Sequence, residues 1–282
     1  MPDTAPAAPA EAEIAALRAE IDALDDAMHD LLMKRAAVVA RLAGSRAKGG
    51  TTPLRPGREA AVLRRLLARH AGPLARERLV RIWREIFMAS TAIQGNFSVA
   101  VHAPSPQSGH ARLAREHFGP IAAIRVHPTP ARALAAVTDG EASVAVLPAP
   151  AEQEAGAGSA WWARLEVPKL QVVARLPFVA EPPGGPGALV VAPVDPDPSG
   201  DDRTLLLLEA EAGAPRARIA AALAEAGLAA PSLIVARVGQ ATLALAEIEG
   251  FLRADDARLA SLPWARRTIL GAYAAPVAGD AA

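Results

Sequence analysis

The opening of the chain carries an apolar repeat that is too long for one small domain to cover. Apolar side chains recur every three or four residues from Ile14 to Val39, which is typical of one face of an α-helix. The pattern predicts a single amphipathic helix of about 35 residues that ends near Gly49 and Gly50. With no second half to fold back on, such a helix exposes an apolar stripe. We therefore expect the chain to form a homodimer.

Two shorter helices follow. The second is predicted from Pro56, a favourable first-turn residue, to about His70, and the third from Leu74 to about Gln94. Polar side chains that resemble the lining of an anion-binding pocket are spread over the three helices: Arg18, Arg35, Arg46, Arg58, Glu59, Ser90 and Gln94.

Helical geometry groups some of these side chains. On a helix that turns about 100° per residue, Arg35 and Arg46 lie on nearly the same face. Ser90 and Gln94 share a face for the same reason. Arg18 lies roughly 25 Å along the helix from Arg35, which is too far for both to hold one small ligand. We expect Arg18 to serve a second pocket, in a partner subunit.

Composition excludes several classes of function. The 282 residues include 30 basic and 30 acidic side chains, so no net charge favours nucleic acid or an anionic membrane as a partner. The absence of cysteine excludes disulfides and thiolate metal sites and is compatible with the cytoplasm, where we expect the protein. The start of the chain predicts a disordered lead over residues 1–10 rather than a signal peptide, and no apolar run approaches a membrane helix.

From Phe97 onward the pattern changes to short apolar runs separated by proline and glycine, which predict strands. The runs are FSVAVHAP, AAIRVHP, ASVAVLPAP, LQVVARLPFVA and ALVVAPV, with helices predicted at ARLAREHFG and PARALAAVTDG. From LLLLEAE onward the predicted order is β, α, β, β, α, β, which is typical of a ferredoxin-like unit. The predicted fold class is α + α/β: three helices, a small α/β domain and a ferredoxin-like unit.

Three segments of the helical region, in order, resemble a known family. They are LRAEIDALDDAMHDLLMKRAAVVARLAGSRAK, RPGREAAVLRRLL and GPLARERLVRIWREIFMASTAIQ. Over about residues 10 to 96 the chain resembles the all-helical chorismate mutase domain that opens bifunctional chorismate mutase/prephenate dehydratase proteins. The resemblance implies an intertwined homodimer with three helices per subunit and chorismate as the substrate.

The resemblance also implies roles for the arginines and the carboxylate of this region. Arg18 matches the arginine that is lent across the dimer, while Arg35 and Arg58 match arginines of the pocket. Glu59 matches the carboxylate that faces the substrate hydroxyl.

The third helix and the end of the first complete the implied pocket. Ser90 and Gln94 match the third-helix pair, with Gln94 near the ether oxygen of the substrate. Arg46 stands where the family has a lysine that binds the ether oxygen and a carboxylate. Lys48 is a poor substitute, because it lies about 200° around the helix from Arg46. The residues that we expect to be catalytic are Arg35, Arg46, Glu59 and Gln94.

The rest of the chain resembles the remainder of those bifunctional proteins. VDPDPSGDDRTLLLLEAE is similar to the join into a regulatory ACT domain, and ILGAYAAPV is similar to its closing strand. The dehydratase substrate loop is replaced by APSPQSGH, its catalytic Thr-Arg-Phe run falls on Pro186-Gly187-Ala188, and one lobe is missing. We predict a lead at 1–10, a mutase domain at 11–96, a degenerate dehydratase-like region at 97–195 and an ACT-like region at 196–282.

Three functions remain open from the sequence. The first is a chorismate mutase, which rearranges chorismate to prephenate by binding the reactive conformer and stabilising developing charge, with no metal or cofactor. The second adds prephenate dehydratase activity, against which the lost Thr-Arg-Phe run argues. The third is a non-catalytic binding or regulatory protein whose pocket has decayed at Arg46.

Other motifs have structural interpretations. The adjacent Trp161 and Trp162 are expected to pack under a loop, and PPGGPG is expected to be a linker because no Lys-Ser/Thr follows it. Four histidines lie too irregularly for a metal site and are expected to be structural or at the surface: His102, His110, His117 and His127.

Overall fold

Helix-forming patterns fill the first third of the chain and strand-forming patterns the rest, and the fold follows this division. The computed structural model describes residues 8–46, 53–105, 108–151, 160–180, 187–238 and 241–279. The chain forms two compact units, of which the first is Met1–Pro53 with Ala92–Gly95 and the second is Leu54–Thr91 with Asn96–Ala282. The predicted α + α/β class is confirmed, whereas the predicted domain boundaries stay predictions.

The first unit contains one unbroken helix, α1, from Ala8 to Arg46. It begins inside the predicted lead, so residues 8–10 are helical, while residues 1–7 and the predicted end at Gly49 and Gly50 lie outside the described residues. Its apolar stripe faces solvent within the single chain: Leu24, Met28 and Leu31 are 58%, 57% and 64% exposed. The predicted apolar stripe is therefore present on α1.

Two further helices are α2, Pro56–Ala68, and α3, Arg76–Gln94. Each is about two residues shorter than predicted, at the end of α2 and at the start of α3. A proline opens α2, where its missing N–H costs no hydrogen bond. Their buried faces form an apolar cluster with a side chain that follows the fourth strand: Ala60, Leu63, Leu67, Val80, Phe87 and Phe178.

Nine strands in the described residues form one sheet in the order β2-β1-β3-β5-β4-β9-β6-β8-β7. The strands are β1 Ser98–His102, β2 Ala123–His127, β3 Val144–Pro148, β4 Gln171–Leu176, β5 Ala188–Ala192, β6 Asp202–Ala210, β7 Ser232–Val238, β8 Ala241–Glu249 and β9 Arg267–Ala274. Each lies in an apolar run of the sequence, so the predicted strands are confirmed.

The first five strands carry the small α/β part of the sheet. β1 pairs in parallel with β2 and β3, and helices α4, His110–Phe118, and α5, Pro130–Thr138, connect these strands. β5 then runs antiparallel to both β3 and β4. The helices bury apolar side chains against opposite faces of the sheet, α4 in one cluster and α5 in another.

The last four strands follow the predicted β, α, β, β, α, β order. Helix α6, Arg216–Glu225, follows β6, and the short helix α7, Ala257–Ala260, follows β8. All neighbouring pairs are antiparallel, in the order β9-β6-β8-β7. This is the ferredoxin-like arrangement expected from the sequence.

A single seam joins the two parts of the sheet. β4 pairs in parallel with β9 through Val172 and Gly271. Gly271 has φ +141°, and a Cβ added there would overlap the backbone of Val172. The α/β part and the ferredoxin-like part, which the sequence pattern presents as separate, therefore share one continuous sheet.

The loop between β3 and β4 covers one face of this sheet. A short 3-10 helix, Trp161–Arg164, places both tryptophans in the cluster that contains α5 and the inner side chains of β6 and β7. The indole Nε1 of Trp161 donates to the carbonyl oxygen of Pro148 over 3.0 Å. The predicted packing of Trp161 and Trp162 is confirmed, and most of the PPGGPG segment lies outside the described residues.

Candidate functional site

Three of the predicted pocket arginines lie on α1. Arg18 is exposed and Arg35 is half-buried, and Arg46 is the last residue of the helix, with its side chain outside the described part. Because α1 is unbroken, the roughly 25 Å between Arg18 and Arg35 holds. The arginines of the first unit are thus spread along the length of one helix.

Ser90 and Gln94 lie on the last turns of α3. Ser90 is buried, and its hydroxyl donates to the carbonyl oxygen of Ile86 over 2.6 Å. Gln94 is half-buried and belongs to the first compact unit, whereas Ser90 belongs to the second. The hydroxyl proton of Ser90 is therefore engaged within its own helix.

The first turn of α2 holds Arg58 and Glu59. The side chain of Arg58 is exposed, and its backbone N–H donates to Oδ2 of Asp197 over 3.0 Å, which anchors the start of the helix. Glu59 is 16% exposed, and its Oε2 accepts a hydrogen bond from Nη1 of Arg84 over 2.9 Å. The carboxylate that the sequence assigns to a substrate pocket is thus held by an arginine of α3.

Arg84 is a residue that the sequence interpretation missed. Its side chain is 6% exposed, and its guanidinium lies over the ring of Phe178 at 5.4 Å from the centroid. Burial lowers the pKa of Arg84, and the charge of Glu59 opposes that shift. The signal in the sequence is its place between Val80 and Phe87, on the apolar stripe of α3.

Arg64 is a second missed arginine. From α2 it donates to the hydroxyl of Ser199 over 2.6 Å and to the carbonyl oxygens of Asp201 and Ala275 over 2.7 and 2.6 Å. Its guanidinium also lies 5.9 Å from the ring centroid of Phe178. Together Arg64 and Arg84 fix α2 and α3 against the end of the sheet that carries β9.

The four histidines were expected to be structural or at the surface, and three of them are buried. His102, His110 and His117 are buried, and the ring of His117 makes an edge contact with Phe118 at 4.6 Å. Burial, and next the positive charge of Arg84, hold the pKa of His117 well below its usual value. His117 is therefore neutral at physiological pH and fills the space beside the Arg84–Glu59 pair.

A small cavity lies beside this pair. It has a volume of about 100 Å³ and is lined by charged and aromatic side chains: Glu77, Arg81, Arg84, Glu116, His117 and Phe178. Ligand pockets have volumes of about 300 Å³ or more, so this space is too small for a substrate. The Arg84 cluster accordingly supports the fold and the position of Glu59.

Metal sites and membrane-spanning helices were also sought among the described residues. Among these residues no group of three or more His, Asp or Glu could hold a metal ion. No helix in the described ranges is long and apolar enough to cross a membrane. The guanidinium groups of Arg18, Arg35 and Arg58 are of the kind that pairs with carboxylates.

The fold defines a class of protein in which a helical region precedes a mixed α/β sheet. Residues 17–95 match the model of the family described as chorismate mutase type II. The match confirms the resemblance predicted for residues 10 to 96, and it contains all seven predicted pocket residues.

Curated relatives extend this result. The bifunctional chorismate mutase/prephenate dehydratase of Stutzerimonas stutzeri is 34% identical over 125 residues, which are 40% of this chain and 33% of that protein. The protein of the same name from Pseudomonas aeruginosa is 35% identical over 123 residues, again 40% and 33% of the two chains. The chain thus spans about a third of the length of the curated relatives that it matches.

Solved structures resemble the larger part of the chain. A structure described as GqqA, a novel type of quorum quenching acylase, has a TM-score of 0.50 and 23% identity, and covers 63% of this chain and 94% of its own. A prephenate dehydratase from Streptococcus mutans has a TM-score of 0.48 and 18% identity, and covers 64% and 100%. At these identities the first likeness shows a shared fold alone.

Proposed function

We propose that this chain is a chorismate mutase, which rearranges chorismate to prephenate. The observation that carries the proposal is the family match over residues 17–95, which includes each predicted pocket residue. These residues lie on three helices at the spacing of the family. The match covers only the helical region, so the proposal concerns the activity of that region.

The reaction needs binding rather than a reactive side chain. The rearrangement is intramolecular, so the protein must hold a dianion in its compact reactive conformer and stabilise the negative charge that develops on the ether oxygen. Guanidinium groups bind carboxylates through paired hydrogen bonds and stay charged, which suits Arg35 and Arg58. Gln94 would donate to the ether oxygen, and Arg46 would add positive charge near it.

Arg84 supports the proposed role of Glu59. The 2.9 Å contact joins Oε2 of Glu59 to Nη1 of Arg84 and holds this carboxylate at the first turn of α2. A carboxylate held in this way needs little reorganisation to accept a hydrogen bond from a substrate hydroxyl. Arg84 is then a positioning residue, and it ties the proposed pocket to the sheet through Phe178.

A homodimer completes the proposal. The exposed stripe of α1, with Leu24, Met28 and Leu31 more than half exposed, supports pairing of α1 with a second copy. Arg18, about 25 Å from Arg35 along α1, would then reach the pocket of the partner. The cytoplasmic location expected from composition stays a prediction.

The decisive experiment follows chorismate absorbance with the purified full-length protein and identifies the product. We expect conversion that stops at prephenate, because the dehydratase substrate loop and the Thr-Arg-Phe run are replaced. Arg35→Ala should lower kcat/KM by at least about 100-fold, since two charge-assisted hydrogen bonds are lost. Arg41→Ala, an exposed arginine on the same helix, is the matched control and should leave kcat/KM unchanged.

Other outcomes would change the assignment. Formation of phenylpyruvate from prephenate would support the bifunctional enzyme. No conversion by folded, dimeric protein would contradict the mutase. Recovery of turnover in Arg46→Lys would then favour a pocket that decayed at Arg46.

A further inference from the structure

The seam between the two parts of the sheet encloses a second cavity, distant in sequence from the predicted pocket. Its volume is about 300 Å³, within the range of small-molecule sites. Its apolar lining is aliphatic and comes from four strands: Leu189, Leu205, Ile234 and Leu245. Because β5 belongs to the α/β part and β6, β7 and β8 belong to the ferredoxin-like part, neither part would form this cavity alone.

Polar groups converge at one end of the cavity. Nη1 of Arg175 lies 3.3 Å from Oε2 of Glu247 and 3.5 Å from the hydroxyl oxygen of Tyr273. Nε of Arg203 lies 3.9 Å from the other oxygen of the same carboxylate. Two guanidinium groups thus share Glu247, and Arg203 also pairs with Asp201 over 3.2 Å, so two guanidinium groups face two carboxylates there. Of the two charged side chains that line the cavity, Arg175 is the more accessible, at 35% exposed against 19% for Glu247.

The guanidinium of Arg175 is accessible and loosely held. Its side chain is 35% exposed, so it lies at the mouth of the cavity rather than in the core. Charge-assisted hydrogen bonds between arginine and a carboxylate are commonly 2.7–2.9 Å, and both contacts of Nη1 are longer than that. An incoming anion can compete for this donor without first breaking a tight pair.

The part of the cavity wall next to Arg175 consists of buried side chains in paired strands. Tyr273 is 2% exposed, and burial, followed by the charge of Glu247, raises the pKa of its phenol, so the group stays protonated. Leu205 and Leu245 are 4% and 3% exposed, and both sit in the paired strands of the sheet. A preformed apolar surface of this kind binds an alkyl chain at little cost in ordering.

We propose that the seam cavity binds a small organic carboxylate with an aliphatic body, its carboxylate on the guanidinium of Arg175 and its chain on Leu189, Leu205, Ile234 and Leu245. The more exposed guanidinium of Arg175 favours a carboxylate as the polar group of the ligand. The aliphatic lining selects a chain of several carbons over a bare anion such as acetate. This site is independent of the proposed mutase pocket, because every side chain that carries it lies in the sheet.

Isothermal titration of the full-length protein with hexanoate tests the proposal. We expect saturable binding of hexanoate and at least about tenfold weaker binding of 1-hexanol, because only the carboxylate pairs with Arg175. Arg175→Met should weaken hexanoate binding at least about tenfold, while keeping a stem of similar length. Ser232→Trp, at an exposed lining position, should block the cavity without changing the core.

Matched controls make each outcome informative. Arg237→Met removes an exposed arginine of β7 outside the cavity and should bind hexanoate like the unmodified protein. Circular dichroism and Tm establish that Arg175→Met is folded. The absence of saturable heat up to roughly 10 mM hexanoate would overturn the proposal. Equal affinity for hexanoate and 1-hexanol, or unchanged affinity in Arg175→Met, would also overturn it. None of these readouts depends on mutase activity.

Discussion

Replacement of Arg84 by methionine tests how the helices are joined to the sheet. Methionine keeps the apolar stem between Val80 and Phe87 but removes the charge. Removing one partner of a buried ion pair costs about 3–5 kcal/mol, because the other charge is left buried. Glu59 is 16% exposed and therefore partly hydrated, so the lower end of the range applies, about 3 kcal/mol. Loss of the contact with the ring of Phe178, at 5.4 Å, adds about 0.5–1 kcal/mol.

Urea unfolding measures this effect. A loss of about 3–4 kcal/mol should lower the midpoint by more than 1 M, given slopes of about 1–3 kcal/mol per molar urea. The double variant with Glu59→Gln should recover at least about 1 kcal/mol, since no uncompensated carboxylate remains. Arg81→Met is the control, because Arg81 is exposed on the same helix and should change little. A loss below about 1 kcal/mol in Arg84→Met, or no recovery in the double variant, would refute the argument.

Three further predictions concern the same part of the molecule. Gly57→Ala should destabilise the protein by about 1–3 kcal/mol in urea unfolding, because the new Cβ would overlap the backbone carbonyl of Asp197, whereas a neutral result would exclude that close approach. His117 is buried and neutral, with Glu77, Arg81 and Arg84 on α3 and Glu116 on α4 around it, so its folded-state pKa is depressed. Its unfolded form takes up a proton first as the pH falls below about 6.5, so the free energy of unfolding should drop by up to about 1.4 kcal/mol per pH unit there. His117→Gln should flatten that slope, whereas replacement of the exposed His29 should not. Gly271→Ala should lower Tm markedly, because β4 and β9 could no longer approach, and an unchanged Tm would show that the seam tolerates a side chain.

Helices and strands that follow from a local pattern of apolar residues were predictable from the sequence. The repeat from Ile14 to Val39 defines α1, and each apolar run after Phe97 contains a strand. The proline at the start of α2 and the glycine residues between the apolar runs mark where these helices and strands begin or end. Errors of about two residues arose at the end of α2 and at the start of α3, because an apolar repeat does not mark the exact residue at which a helix begins or ends.

Features that depend on distant parts of the chain were not predictable. The amphipathic pattern of α3 identifies Arg84 as an interruption of an apolar stripe, but its partners, Glu59 and Phe178, come from other elements. Arg64 donates to backbone carbonyl oxygens. Because every residue has a backbone carbonyl, the sequence does not indicate which ones an arginine will bind. The pairing of β4 with β9 joins residues about 100 positions apart, and its one local sign is a glycine, Gly271, within an otherwise apolar run.

The position of β9 in the sheet has a consequence for synthesis of the chain. β9 leaves the ribosome after the other eight described strands, yet it lies in the interior of the sheet, between β4 and β6. Until residues 267–274 emerge, β4 and β6 each present an unpaired edge, and β6 carries the run Leu205 to Leu208. Unpaired apolar edges of this kind associate with other chains. The nascent protein is therefore prone to aggregate until residues 267–274 are made, and a chain truncated before residue 267 retains both edges for its whole lifetime.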